Sequence, residues 1–226
     1  MDHKEPKLLS VELVSPGWIN KYLLKYELPN GEVIEYESVS RKDLDEYKHQ
    51  LEVNSKGDGG KPENADAVCI VPILPDDSLL LIREFRYAVN AWVIAFPAGL
   101  IEPGESFRDC VDRELMEETG YRVRRDFDGD PVTMLPQSGY SSVGMGEENV
   151  CVAIAHVEPA GEAHLQHGEM IETFALPRND VAHFLDTNTE LIGTRCQLLL
   201  EAVRRTNVLR KRIALMQNPI TSEDFA

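Results

Sequence analysis

Residues 99–121 read GLIEPGESFRDCVDRELMEETGY. Seven of them stand at telling offsets: Gly99, Glu105, Arg113, Glu114, Glu117, Glu118 and Gly120. The periodicity predicts a helix over residues 105–119. On a wheel of about 100° per residue with Glu114 as origin, Phe107 falls at ~20°, Cys110 at ~−40° and Val111 at ~60°. On the same wheel Glu118 falls at ~40° and Glu117 at ~−60°. The acids therefore continue the stripe that is apolar in the first two turns, whereas a solvated face lies opposite the apolar one. Carboxylates on a core-facing stripe are costly unless they are paired or bound to metal.

Glu114 and Glu118 are four apart, so their carboxylates project together and repel. Hard oxygen ligands of this kind suit Mg²⁺, or Mn²⁺, with water and substrate phosphate completing the shell. Arg113 is placed to reach back to Glu105 and fix the loop entering the helix. Gly120 sits where a left-handed C-terminal cap belongs. Gly99 allows a tight turn that brings the Ala98 carbonyl toward the metal. The competing reading is a charged surface helix with ordinary i, i+4 pairs. Seven identities at fixed spacing arise by chance about once in a million chains of this length, which favours metal-assisted attack on a phosphoric anhydride.

The bulk properties agree with that reading. The chain has 226 residues, 42% of them hydrophobic, enough for one sizeable core or a main domain plus a small one. No apolar run approaches the roughly 18 residues that span a bilayer. The N-terminal MDHKEPKLLS lacks the apolar centre of a signal peptide, so a cytoplasmic protein with no membrane partner is expected. The net charge of −16 argues against a nucleic-acid partner. An acidic protein that binds an anionic substrate needs metal or local arginines to reverse the field. Cys69, Cys110, Cys151 and Cys196 form no CxxC pair and read as reduced structural thiols. His164 and His167 share a polar loop and make no metal-ligand pattern. Asp126, Asp128 and Asp130 lack the glycine and glutamate positions of a calcium loop and read as a solvated turn.

Along the chain, residues 8–15, 20–28 and 32–38 predict three strands, the last two joined at Leu28-Pro29-Asn30-Gly31. Residues 40–64 are polar and contain an evident loop at 56–62. Further strands are expected at 67–74, 79–85, 92–96, 150–157 and 170–176. A short helix is expected at 178–185. A long one is expected at 191–217, apolar at Leu191, Leu198, Leu199, Val203, Leu209, Ile213 and Met216, with a solvated face at Arg204, Arg205, Arg210, Lys211 and Arg212. Mixed strands around helices indicate an α/β or α+β sandwich. The expected division is an N-terminal β-subdomain over 1–60 and a main domain over 61–226.

The quoted segment resembles the Nudix box, G-x5-E-x7-R-E-U-x-E-E-x-G-U, with U a bulky apolar residue. Leu115 fills the first U and Tyr121 the last. The resemblance implies the Nudix α/β/α sandwich with a mixed sheet, and hydrolysis of a nucleoside diphosphate linked to another moiety. The flanks are similar to the ADP-ribose pyrophosphatase branch. Residues 79–105 resemble its strand and its P-A-G-L-I-E-P-G-E entry, and the small N-terminal antiparallel β-subdomain resembles one that builds a homodimer there. Residues 142–150, SVGMGEENV, resemble a loop of the branch in which Glu148 takes the place of a glutamate that binds metal or acts as base. Three positions depart from the branch: Glu84 for glutamine, Ala95 for glutamate and Val143 for proline.

The resemblance and the residues together give a full set of expectations. Glu114, Glu117, Glu118 and the Ala98 carbonyl hold Mg²⁺. Glu148, with Glu117 as the alternative base, takes a proton, while Arg113 and Glu105 maintain ligand geometry. Arg86, Phe85 and Gly99 meet the substrate, although on residues alone Arg86 reads equally as a strand-end salt-bridge partner. Trp92 reads as core, and Glu169 and Glu172 as lesser candidates for metal or sugar contact. The substrate implied is a nucleoside diphosphate sugar, foremost ADP-ribose, cleaved to AMP and ribose 5-phosphate. The alternatives are another nucleoside diphosphate derivative such as GDP-mannose, or a non-catalytic nucleotide-sensing domain. Retention of every box acid speaks against the last.

Overall fold

A computed structural model describes residues 5–217. In chain order the elements are β1 (Lys7–Ser15), β2 (Asn20–Glu27), β3 (Val33–Ser40), α1 (Leu44–Ser55), β4 (Ala67–Ile73), β5 (Leu79–Arg86), β6 (Ala91–Ala95) and β7 (Ala98–Leu100). They continue as α2 (Phe107–Thr119), β8 (Tyr121–Val123), β9 (Val132–Met134), β10 (Gly139–Tyr140), β11 (Asn149–Pro159), β12 (Ile171–Leu176), α3 (Val181–Thr187), β13 (Leu191–Ile192) and α4 (Thr194–Gln217). Among the described residues four helices accompany a mixed sheet and a small antiparallel one, the α/β architecture expected of the sequence. The chain forms two compact units, and β4 and β11 each pass from one into the other.

Among the described residues, the first unit takes those up to 68, 100–107 and 134–152. Its three-stranded sheet is the meander β1-β2-β3. Gly31 turns the β2–β3 hairpin with a positive φ of 84°, and its N–H donates to the Leu28 carbonyl at 2.8 Å. Tyr22 and Leu24 of β2 pack with Tyr47 of α1, and the two tyrosine rings lie 4.5 Å apart. Tyr22 Oη reaches the Lys42 carbonyl and Tyr47 Oη reaches Ser38 Oγ, so both buried hydroxyls are satisfied. Helix α1 falls inside the stretch read from sequence only as polar. Its start is a reciprocal capping box: Asp43 accepts from the Glu46 N–H, and Glu46 accepts from the Asp43 N–H.

Among the described residues, the second unit takes 69–99, 108–133 and those from 153 onward. In it β5 pairs antiparallel with β6 and with β12, and β6 pairs parallel with β13. Leu79–Ile82 are all buried, which explains an unbroken apolar run where a half-exposed strand would alternate. Helix α2 lays Cys110, Val111 and Leu115 into this core. The last helix begins three residues later than the periodicity predicts. Leu191 and Ile192 pair with Val93 and Ile94 as β13, and the Gly193 N–H donates to the Ile94 carbonyl at 2.9 Å. Leu198, Leu209 and Ile213 of α4, expected on an apolar face, are exposed. Arg205 and Arg210 are exposed as expected, and the side chains of Lys211, Arg212 and Met216 lie outside the described residues.

All four cysteines are free and buried. Burial pushes the Cys69 thiol up to about 11 and the Cys196 thiol up to about 12, so both stay protonated at neutral pH. Asp126 and Asp130 take Arg124 and Arg108 as partners in the expected surface turn. Among the described residues no helix is long and apolar enough to cross a membrane.

Candidate active site

Helix α2 places its acids as the wheel requires. Glu114 and Glu118 are only 6% and 5% exposed, whereas Glu117 is half-buried. Burial raises the Glu118 carboxyl well above its ordinary value, and the charges of Glu114 and Glu84 raise it further. Burial also raises Glu114, against the lowering effect of Arg113 beside it. Two buried carboxylates that repel each other form a site of strong negative potential, which favours a proton or a cation.

The local hydrogen bonds fix this arrangement. Arg113 Nη1 donates to Glu114 Oε1 at 2.7 Å and to Glu117 Oε2 at 3.3 Å. Gln166 Nε2 also donates to Glu117 Oε2, at 3.3 Å. The Ala98 N–H donates to Glu118 Oε2 at 3.1 Å, so β7 meets the helix acids through an amide. Gly99 follows, and a β-carbon built on it would lie 1.8 Å from Glu114 Oε1. Its φ is not positive, so glycine is required here for space more than for a turn. Gly120 does take the left-handed conformation, φ 73°, and caps α2 by donating to the Met116 carbonyl at 3.1 Å.

Two further acids join the cluster electrostatically. Glu84 of β5 adds to the raised Glu118 value, and burial raises its own carboxyl against the lowering effect of Arg86. Glu169 raises Glu84, Glu114 and Glu118 alike. In the sequence Glu84 reads only as a departure from a family pattern, and its place at the end of a buried apolar run is the available signal. Arg86 Nη2 lies 2.7 Å from Glu84 Oε2 and keeps about half of its side chain exposed, leaving it available to an anion. Phe85 packs edge-on against Trp92, centroids 6.0 Å apart, and against Tyr87 at 5.3 Å. Glu172 is exposed at the start of β12.

The remaining expected residues lie in the first unit. Glu105 closes its own turn: its Oε2 accepts from the Glu102 N–H at 3.0 Å, and its N–H donates to the Glu102 carbonyl at 3.0 Å. Glu148 accepts from Ser141 Oγ at 2.8 Å and from Arg41 Nη1. It lines a cavity of about 680 Å³ together with Arg41, Lys42, Ser142 and Met145.

The donor set fits a hard divalent cation. Glu114 and Glu118 offer buried carboxylate oxygens beside the Ala98–Gly99 backbone, and Glu114 Oε1 already draws the positive charge of Arg113. Among the described residues no three His, Cys, Asp or Glu groups converge to enclose an ion unaided. A cation held here would need further oxygens from water or substrate.

The sequence profile of the NUDIX domain matches residues 63–192. The chain belongs to the NUDIX family. Among its Nudix relatives, the ADP-sugar pyrophosphatase of Mus musculus is 30% identical over 202 residues, covering 85% of this chain and 81% of the relative. The ADP-ribose pyrophosphatase of Saccharomyces cerevisiae is 29% identical over 170 residues, 70% of this chain and 64% of the relative. A crystal structure of an ADP compounds hydrolase superposes with a TM-score of 0.69 over 94% of this chain and 99% of that one. At 24% identity that likeness speaks for the fold. The chain is a Nudix pyrophosphohydrolase of the ADP-ribose pyrophosphatase-like kind, and Nudix hydrolases generally use divalent metal ions.

Proposed function

We propose that this Nudix enzyme hydrolyses the diphosphate of ADP-ribose, or of a closely similar ADP-sugar, to AMP and a sugar phosphate, with Mg²⁺ as its metal. The observation that carries the reading is the buried Glu114–Glu118 pair packed against the Ala98–Gly99 backbone. The choice of ADP-ribose follows the names of the mouse and yeast relatives.

Glu114, Glu118, Glu117 and the Ala98 carbonyl would hold the cation. When bound, Mg²⁺ or Mn²⁺ supplies positive charge against the diphosphate oxygens and makes coordinated water more acidic. Arg113 and Glu105 keep the carboxylates and their loop in place. Arg86 orients the diphosphate through its guanidinium, and Phe85 packs beside it. Glu148 takes the proton as water attacks one phosphorus. A P–O bond forms to the water oxygen, the bridging P–O bond breaks, and the bridging oxygen leaves with the other phosphate.

Residues 1–60 act in this reading as a dimerisation element. Leu13, Val14, Trp18 and Val33 all expose large apolar surface there, Trp18 at 77%. A cytoplasmic homodimer without nucleic-acid or membrane partners completes the proposal.

A panel of ADP-ribose, GDP-mannose, UDP-glucose and diadenosine compounds, assayed with Mg²⁺ and product identification, tests the substrate. The highest kcat/KM for ADP-ribose, with AMP and ribose 5-phosphate formed, is expected. Preference for another member of the panel reassigns the substrate. Binding of ADP-ribose without cleavage would mark a sensor.

A further inference from the structure

The loop that carries Glu148 is tied to β3 step by step. Tyr36 Oη donates to the Gly144 carbonyl at 2.8 Å, and Ser38 Oγ to the Met145 carbonyl at 3.2 Å. The Val39 N–H donates to the same Met145 carbonyl at 2.8 Å, and Val39 forms a parallel bridge with Gly146. A β-carbon on Gly146 would stand 2.4 Å from the Val39 carbonyl oxygen, so the two backbones are in close contact. Ser40 Oγ then donates to Glu147 Oε1 at 2.5 Å, and Arg41 to Glu148 itself.

Lys42, the next residue, closes the series. Its ammonium pairs with Asp66 Oδ1 and lies 3.5 Å from Glu147 Oε1. Asp66 Oδ2 in turn accepts the Asn149 N–H at 2.9 Å, while the Asp66 N–H donates to the Asn149 carbonyl at 2.8 Å. Both neighbours of Glu148 are thereby fixed to one ammonium, Glu147 directly and Asn149 through Asp66. The Glu147 side chain is 8% exposed and that of Lys42 21%, so the link is largely shielded from water. A shielded charge pair is rigid, and losing one partner leaves the other uncompensated.

We infer that Lys42 is a positioning residue for catalysis. It sets the loop so that the Glu148 carboxylate faces the cavity, and the strand–loop ties from Tyr36 to Arg41 act as the template. The inference rests on Glu148 being the proton acceptor of the proposed reaction. Its physical basis is that a general base misplaced by about 1 Å loses on the order of 100-fold in rate.

The test is a kinetic cycle of Lys42→Met, Glu148→Gln and the double variant, on the full chain with ADP-ribose and Mg²⁺. Lys42→Met is expected to lower kcat by about 10- to 100-fold with KM little changed. In the double variant it should cost nothing beyond Glu148→Gln alone, because Lys42 acts through Glu148. Amide exchange should quicken in 142–149 and stay unchanged in α2. If Lys42→Met does not fold, Asp66→Asn cuts the same link and must show the same non-additivity. Full additivity in the double variant, or wild-type kcat in Lys42→Met, overturns the positioning role and leaves Glu148 as the base. Undiminished kcat in Glu148→Gln overturns the base assignment, and the positioning role falls with it.

Discussion

Glu114 Oε1 lies 1.8 Å from the point where Gly99 would carry a β-carbon. The backbone of β7 and the carboxylate of α2 thus occupy one tightly packed site, and the neighbouring Ala98 N–H holds Glu118. Gly99→Ala must displace a buried charged group. The expected result is a folded protein about 1–3 kcal/mol less stable. Its kcat/KM should fall about 100-fold, because the displaced group is one of the proposed metal ligands. Steady-state kinetics and thermal melts on the same preparation check both. An alanine variant with wild-type kcat/KM would show that the close approach is not needed for catalysis.

The raised carboxyl of Glu118 makes stability depend on pH in a definite direction. Its folded pKa lies above the ordinary 4.5, so the native state binds that proton more tightly than the unfolded chain. The stabilisation is fully present below 4.5 and is lost as pH rises through the folded value, at about 1.4 kcal/mol for each pH unit between the two. Metal-free protein in chelator should therefore melt at falling temperature as pH rises from about 5 to about 8. Glu118→Gln should flatten this slope, with Glu114 and Glu84, whose carboxyls are also raised, keeping a remainder, and should melt higher than wild type at the alkaline end. Added Mg²⁺ should raise the wild-type melting temperature most at alkaline pH, where the ligand is deprotonated.

Glu84 adds negative charge beside Glu118. Glu84→Gln removes it, so Glu118 becomes more acidic and competent for metal at lower pH. The acid limb of the kcat/KM profile with Mg²⁺ should move to lower pH. A limb that stays in place, or moves up, would separate Glu84 from the metal site. The same substitution weakens the hold of Glu84 on Arg86, 2.7 Å away, so KM should not rise.

Trp18 is 77% exposed next to Ile19, itself 53% exposed, and the apolar edge at Leu13 and Val14. A large aromatic at such a place is a strong candidate for an interface anchor. Trp18→Glu should convert a dimer to a monomer in light scattering at micromolar concentration. A wild-type protein that is already monomeric would remove the dimerisation role from the N-terminal subdomain.

The parts of the fold set by neighbours along the chain were legible in the sequence. The stripe of α2 follows from helical period and residue type alone, and these suffice to place Glu114 and Glu118 inward. The β2–β3 hairpin announced itself at Pro29-Asn30-Gly31. What stayed hidden depends on residues distant in sequence. Ser40 meets Glu147 across 107 positions, and Asp66 meets Asn149 across 83. Nothing local in either segment distinguishes the buried Glu147 from the more open Glu148. Leu191 and Ile192 fit a helical period as well as a strand. The partner β6 and the Gly193 N–H decide between them. Helix α1 was missed, because its stretch reads as polar; the capping box of Asp43 and Glu46 is the local signal that marks its start.

The central claim is that the buried acids of α2 hold the cation needed for diphosphate hydrolysis. Its most direct test pairs Mn²⁺ binding, measured by electron paramagnetic resonance, with ADP-ribose turnover in wild type and Glu118→Gln. The predicted result is a folded variant with Mn²⁺ affinity much reduced and turnover down about 1,000-fold, the several kcal/mol that a catalytic metal supplies. Near-wild-type turnover with Mg²⁺ in Glu118→Gln would contradict it.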